Sequence, residues 1–150
     1  MKKIINNRMY DTDTATNVGE WENMADIRNF RHFTETLYRK RTGEYFIHGV
    51  GNADSKYAVS AGQNQWTGGA KIIPLTYDSA RKWAEENLGV AEYIAEFGEP
   101  AEDGGTQSIT VNIPVTLHDA LKKRQAETGK SMTQIVIETL ENELMKKQDI

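Results

Sequence analysis

The chain predicts an α+β architecture: a small antiparallel sheet with helices against one face, then a separate strand–helix–helix module that dimerises. Three observations carry this expectation. Short β-prone runs divided by turn residues fill the first half of the chain, two amphipathic helical patterns follow, and a strictly alternating segment restarts the pattern at Ser108. With 150 residues, there is room for one domain or for two very small ones.

Residues 2–5 and 8–10 are short β-prone runs around Asn6-Asn7, a two-residue hairpin signal because Asn tolerates positive φ. The stretch Asp11-Thr12-Asp13-Thr14-Ala15 offers caps for a short helix reaching Trp21. Two further strand-like runs, 33–38 and 44–48, flank the turn Lys40-Arg41-Thr42-Gly43. Another, 70–75, follows Trp66-Thr67-Gly68-Gly69, read as a turn whose Trp caps the core. Thr76 then caps a helix over 77–88 with Ala80, Trp83, Ala84 and Leu88 on its inner face. A last short helix over 90–97 carries Tyr93, Ile94 and Phe97.

Composition narrows the setting. The chain is 38% hydrophobic and 27% charged, and it has no apolar run long enough for a membrane span or a secretion signal. Cysteine is absent, which excludes disulfides and thiolate metal sites and points to a reducing, cytoplasmic location. The net charge of -4 gives no hint of nucleic-acid binding, but it averages over a seam. Residues 1–105 hold 12 Lys and Arg against 16 Asp and Glu, whereas residues 106–150 hold 6 against 6. Gly, Pro and acids fill 99–105, so the expected domains are 1–98 and 106–150 with 99–105 as linker.

In the second part, Ile109, Val111 and Ile113 fall on one face of a strand and Ser108, Thr110 and Asn112 on the other, with Pro114 as the stop. A helix follows with Leu117, Ala120, Leu121 and Arg124 on one side, Thr116 as expected N-cap and Asp119 completing a capping-box variant. Gly129 ends it as a left-handed cap. Ser131 caps a second helix whose apolar positions are Ile135, Val136, Leu140 and Leu144. One strand and two helices in about 40 residues cannot bury their own apolar faces, and a lone strand leaves its backbone groups unpaired. Two copies cure both defects. The expected homodimer core is Ile109, Val111, Ile113, Leu117, Leu121, Ile135 and Leu140.

This order of elements, with the strand ending in Ile113-Pro114, the Leu117/Leu121 pair and Glu127-Thr128-Gly129-Lys130-Ser131, resembles the ribbon-helix-helix DNA-binding repressors. The resemblance implies that Ser108, Thr110 and Asn112 read bases of operator DNA from a two-stranded ribbon in the major groove. It also implies phosphate contacts at the start of the second helix, from Lys130, Ser131 and Met132. The competing reading of the same alternation is a strand with one solvated face. The phosphate-facing cations of the module are the cluster Lys122, Lys123, Arg124 and Lys130, few enough that tight binding needs paired dimers or a long operator.

A search for catalytic chemistry in the first part finds none. His32, His48 and His118 have no ligand spacing, Gly49-Val50-Gly51 lacks the rest of a phosphate loop, and Ser55 and Ser60 have no base nearby in sequence. His48 reads as a strand residue pairing with a neighbour. The expectation is a non-enzyme without metal or cofactor; an enzyme acting on nucleic acid is the weakest of the classes weighed. Seven acids and no Lys or Arg lie between Glu85 and Asp103, and Glu85, Glu86, Glu92 and Glu96 form a candidate partner surface. Its plainer reading is a solvated helix face plus linker.

The string Lys3-Ile4-Ile5-Asn6-Asn7-Arg8-Met9-Tyr10-Asp11-Thr12-Asp13-Thr14-Ala15 is similar to the opening of a small domain found in mobile-element proteins of Gram-positive bacteria. So are Glu35-Thr36-Leu37-Tyr38-Arg39, Thr42-Gly43-Glu44-Tyr45-Phe46-Ile47-His48-Gly49, Trp66-Thr67-Gly68-Gly69, Ile73-Pro74-Leu75-Thr76 and Ala84-Glu85-Glu86. That group includes anti-CRISPR proteins of type II effectors. The resemblance, over residues 3–98, implies an inhibitor that binds a Cas effector of the Cas9 kind or its guide RNA inside the bacterial host cell, with the C-terminal module repressing its own promoter. The alternative is a ribbon-helix-helix transcriptional regulator or antitoxin with an N-terminal sensor or interaction domain.

Overall fold

A computed structural model describes residues 1–23 and 26–145; the end of the expected second domain, residues 146–150, lies outside the described residues. The chain divides into two compact units, Met1–Ser108 and Ile109–Ile150.

The first unit is α+β. Strands β1 (Lys2–Ile5) and β2 (Arg8–Asp11) form a hairpin through Asn6 and Asn7, whose φ values of 52° and 61° are the left-handed pair a two-residue turn needs. A four-stranded antiparallel sheet follows, built from β3 (Thr16–Glu22), β4 (Phe33–Arg39), β5 (Tyr45–Gly51) and β8 (Gly69–Leu75) in that spatial order. Between β5 and β8 a second hairpin, β6 (Val59–Gly62) with β7 (Gln65–Thr67), forms its own two-stranded sheet. Helices α1 (Tyr77–Asn87) and α2 (Val90–Phe97) complete the unit.

Strand alternation divides the core in two. On one face Leu37, Tyr45 and Ile47 are covered by Ala80 and Ala84 of α1, with Leu88, Tyr93 and Phe97 packed around them. On the other, Phe46 and Ile72 are covered by Tyr10 of the β1–β2 hairpin, and the Tyr10 and Phe46 rings meet edge to face at 5.5 Å. The small inner residues Ala80 and Ala84 let α1 lie close to the sheet. Thr76 caps α1 by accepting from the Ser79 amide at 3.1 Å.

Two expectations are corrected in this unit. The segment leading to Trp21 is strand β3, not a helix. Asp11 does bind a following amide, Asp13 N at 2.9 Å, but this closes a turn, and Asn17 and Gly19 beyond it are poor helix formers. The edge of β4 then supplies the hydrogen-bond partner, with a bulge between Asn17 and Gly19. A Cβ at Gly19 would crowd the end of the Leu88 side chain, which would have to shift. Trp66 does not cap the core: it stands 62% exposed on the β6–β7 hairpin, which turns at Asn64 with φ 58°. Residues 99–105, read as linker, fold back as a turn. Pro100 bridges Gln107, and Ala101 N donates to Thr106 O at 3.1 Å.

The second unit contains α3 (Val115–Thr128) and α4 (Met132–Leu144). Gly129 ends α3 at φ 72°, and Ser131 Oγ accepts from Gln134 N at 3.1 Å to start α4. The N-cap of α3 is Pro114 rather than Thr116, and no capping box with Asp119 forms. Fixed φ and the absence of a donor suit Pro to a helix start, so the helix begins two residues earlier than expected. Residues 108–113 are not a strand, because no segment among the described residues offers them a ladder.

Candidate functional site

The candidate interface begins with the unpaired stretch 108–113. Ser108, Thr110 and Asn112 are all exposed. So are the residues expected to form a dimer core on the opposite side: Ile109 is 73% exposed and Val111 68%. Ile113, Leu117 and Leu140 are also exposed, and Leu121 is half-buried. Among the described residues of this unit, Ile135 is the single buried hydrophobic side chain. A helix pair with one buried apolar side chain leaves most of its apolar surface in water, each such side chain forgoing about 1.5–3 kcal/mol of burial.

Of the three residues expected to hold a phosphate, Lys130 and Ser131 lie in the turn between α3 and α4 and Met132 opens α4. Ser131 uses its hydroxyl as the helix cap, and Met132 is half-buried. Lys130 Nζ sits 2.8 Å from Glu138 Oε2, which with Gln134 as a further donor holds the Glu138 carboxyl below the usual range. The pair is open to solvent on both sides and so weak. If the unit binds DNA as the resemblance implies, Glu138→Gln, which releases the Lys130 charge, should raise that affinity about twofold to fivefold and steepen its salt dependence, read by titration at two salt concentrations. An unchanged salt slope would remove Lys130 from the interface.

In the first unit the acids divide. Glu85, Glu86 and Glu92 are exposed as expected. Glu96 is not part of that surface: its side chain is 12% exposed, and its Oε1 accepts from Arg39 Nε and from the Tyr45 hydroxyl, both at 2.7 Å. Burial, and then the Glu96 carboxylate, push the Tyr45 hydroxyl pKa up. Glu96 therefore ties α2 to the sheet. Glu96→Ala should cost about 2 kcal/mol by chemical denaturation and Glu96→Gln distinctly less, because the amide oxygen still accepts from Tyr45.

A second buried acid has no obvious sequence signal. Glu35 on β4 accepts from the Tyr57 hydroxyl at 2.8 Å and from Lys56 Nζ at 3.1 Å. Burial, with the Glu35 hydrogen bond, raises the Tyr57 hydroxyl pKa. All three groups satisfy one another, which makes this a lock between the 52–58 loop and the sheet. Of the histidines of this unit, His32 is buried and His48 half-buried. His32 Nε2 lies 3.1 Å from Glu22 Oε2, and His48, on β5 opposite Thr36 and Ile72, has its pKa lowered by burial first and by the N-terminal ammonium second.

A groove of about 780 Å³ runs between α1, α2 and the 100–107 turn. Leu88, Val90, Tyr93, Ile94 and Phe97 supply its apolar wall, and Arg81, Glu85 and Glu102 its charges. Among the described residues no cluster of His, Asp or Glu could hold a metal ion, and no helix is long and apolar enough to cross a membrane. Compared with known proteins, the chain matches no family model, no curated protein and no solved structure.

Proposed function

We propose that the chain is a two-part anti-CRISPR protein. Residues 1–98 inhibit a Cas effector of the Cas9 kind by binding it or its guide RNA. Residues 106–150 dimerise as a ribbon-helix-helix module that represses its own promoter. The observation that carries the C-terminal half is the stretch 108–113, which alternates apolar and polar residues, is exposed, and pairs with no strand among the described residues. A second copy pairs with it antiparallel, places Ile109, Val111 and Ile113 over the helices, and leaves Thr110 and Asn112 outward for base edges. Asn112 is the strongest reader of the three, since its amide pairs bidentately with adenine. The inhibitor half rests on the resemblance along residues 3–98. Neither half needs a catalyst, metal or cofactor.

Two assays with the full chain test the two halves. The chain should bind its own promoter DNA, and Asn112→Ala should relax preference at one base pair by about 1–3 kcal/mol. In bacterial cells with an active type II system, the chain under a foreign promoter should protect a targeted plasmid. Promoter binding without protection favours the second reading, a regulator or antitoxin with an N-terminal interaction domain; the groove of the first unit is the feature that favours it.

A further inference from the structure

Helix α2 is more apolar than packing on one sheet face requires. Six of its eight residues, Val90, Ala91, Tyr93, Ile94, Ala95 and Phe97, are apolar or aromatic, yet none is fully buried. Tyr93 and Phe97 turn toward the core, where Phe97 stacks on Tyr45 at 5.6 Å. Val90, at the other end, is left 76% exposed. It opens onto the groove together with Ile94 and Leu88. The glycine and proline turn at 100–107 forms the far wall, held by the Pro100 and Gln107 pairing, so the groove is built and not a gap between loose ends.

Charge around this wall is one-sided. Glu85 and Glu102 line the groove, and Glu86, Glu92, Glu99 and Asp103 are exposed on the same helices and turn. From Trp83 to Gln107 there is no Lys or Arg. Arg81 is the one cation of the lining, against Glu85 and Glu102 of the same lining. An apolar trough with an acidic border repels a polyphosphate and suits a peptide whose anchors are apolar and whose flanks are cationic.

We infer that the α1–α2 groove docks a basic amphipathic helix of a partner protein. The inference deepens the reading of residues 1–98 as an interaction domain and rests on it: the partner is reached through protein, not through RNA. Apolar side chains at i, i+3 or i+4, and i+7 of the incoming helix contact Leu88, Val90 and Ile94, while its Lys or Arg residues meet Glu85 and Glu102.

The test is a residue-resolved NMR titration of the full chain with a peptide of about 14 residues, leucines at helical i, i+3, i+4 and i+7 spacing and lysine elsewhere. A scrambled peptide of equal composition and a short single-stranded RNA are the comparisons. The amphipathic peptide should shift Val90 and Ile94, bind at least about tenfold tighter than its scramble, and leave the RNA without effect there. Val90→Lys, at a position too exposed to matter for folding, should weaken it about tenfold; Trp66→Lys on the β6–β7 hairpin should not. Equal binding of the scramble, shifts confined to residues 109–144, or tighter binding of the RNA at the groove would overturn the inference. The peptide readout does not depend on plasmid protection, so failure of the groove and failure of the inhibitor reading are separable.

Discussion

If residues 108–113 pair across two copies as proposed, Val111→Lys should convert the full chain to a monomer and weaken binding to its promoter DNA at least about 100-fold. The geometry of pairing sets this expectation. Antiparallel strands that keep Ile109, Val111 and Ile113 on one side, and use the whole stretch between Ser108 and Pro114, cross at Val111. Each copy of Val111 then faces its own counterpart on the two-fold axis. The substitution places two like charges opposite each other at the least solvated point of the ribbon, where neither has a partner. Sedimentation of the native chain and the variant, followed by DNA titration, reads the result. A native chain that sediments as a monomer at about 50 µM, far above typical working concentrations of such regulators, would remove the dimer and with it the ribbon. The first unit should keep its spectrum in the variant, because none of its core residues lies beyond residue 97.

Gly49→Ala should destabilise the first unit by roughly 3 kcal/mol, a fall in Tm of about 10–20 °C for a unit of this size. Gly49 has ordinary strand geometry, so the effect is not one of backbone strain. An added methyl group would land on the ring of Tyr57. That ring has nowhere to go: Tyr57 is 1% exposed, its hydroxyl is held by Glu35, and Phe33 packs against it at 5.7 Å. Thermal unfolding measures the loss. Combining Gly49→Ala with Tyr57→Leu should cost less than the two single changes added together, since the smaller side chain removes the collision. Strict additivity would mean that the Tyr57 contact is not the cause.

Much of the fold is legible along the chain because its signals are local. Asn6-Asn7 announces the first hairpin, Thr76 the start of α1, Gly129 and Ser131 the break between α3 and α4, and each acts within three or four residues of itself. The misreadings share a cause as well. Asp11 offers the same hydrogen bond to a turn as to a helix, and only the edge of β4, some 20 residues on, makes the following segment a strand. Thr116 is a good capping residue placed behind a better start, Pro114. Trp66 is a large apolar side chain on a hairpin whose strands pair only with each other. In the candidate site, the polar and apolar faces of 108–113 are plain from period two, whereas Glu96 looks like its acidic neighbours until Arg39 and Tyr45 reach it from 57 and 51 residues away.

By itself, then, the sequence determined the type and punctuation of most elements and the two-faced character of the 108–113 stretch, because propensity, capping and periodicity are properties of neighbouring residues. The tertiary structure alone decided which faces are covered. It placed the β1–β2 hairpin over one side of the sheet, buried Glu35 and Glu96 beside distant cations and tyrosines, and opened the α1–α2 groove. Burial and charge pairing depend on segments that meet only when the chain has folded, and no local pattern encodes which segments those are.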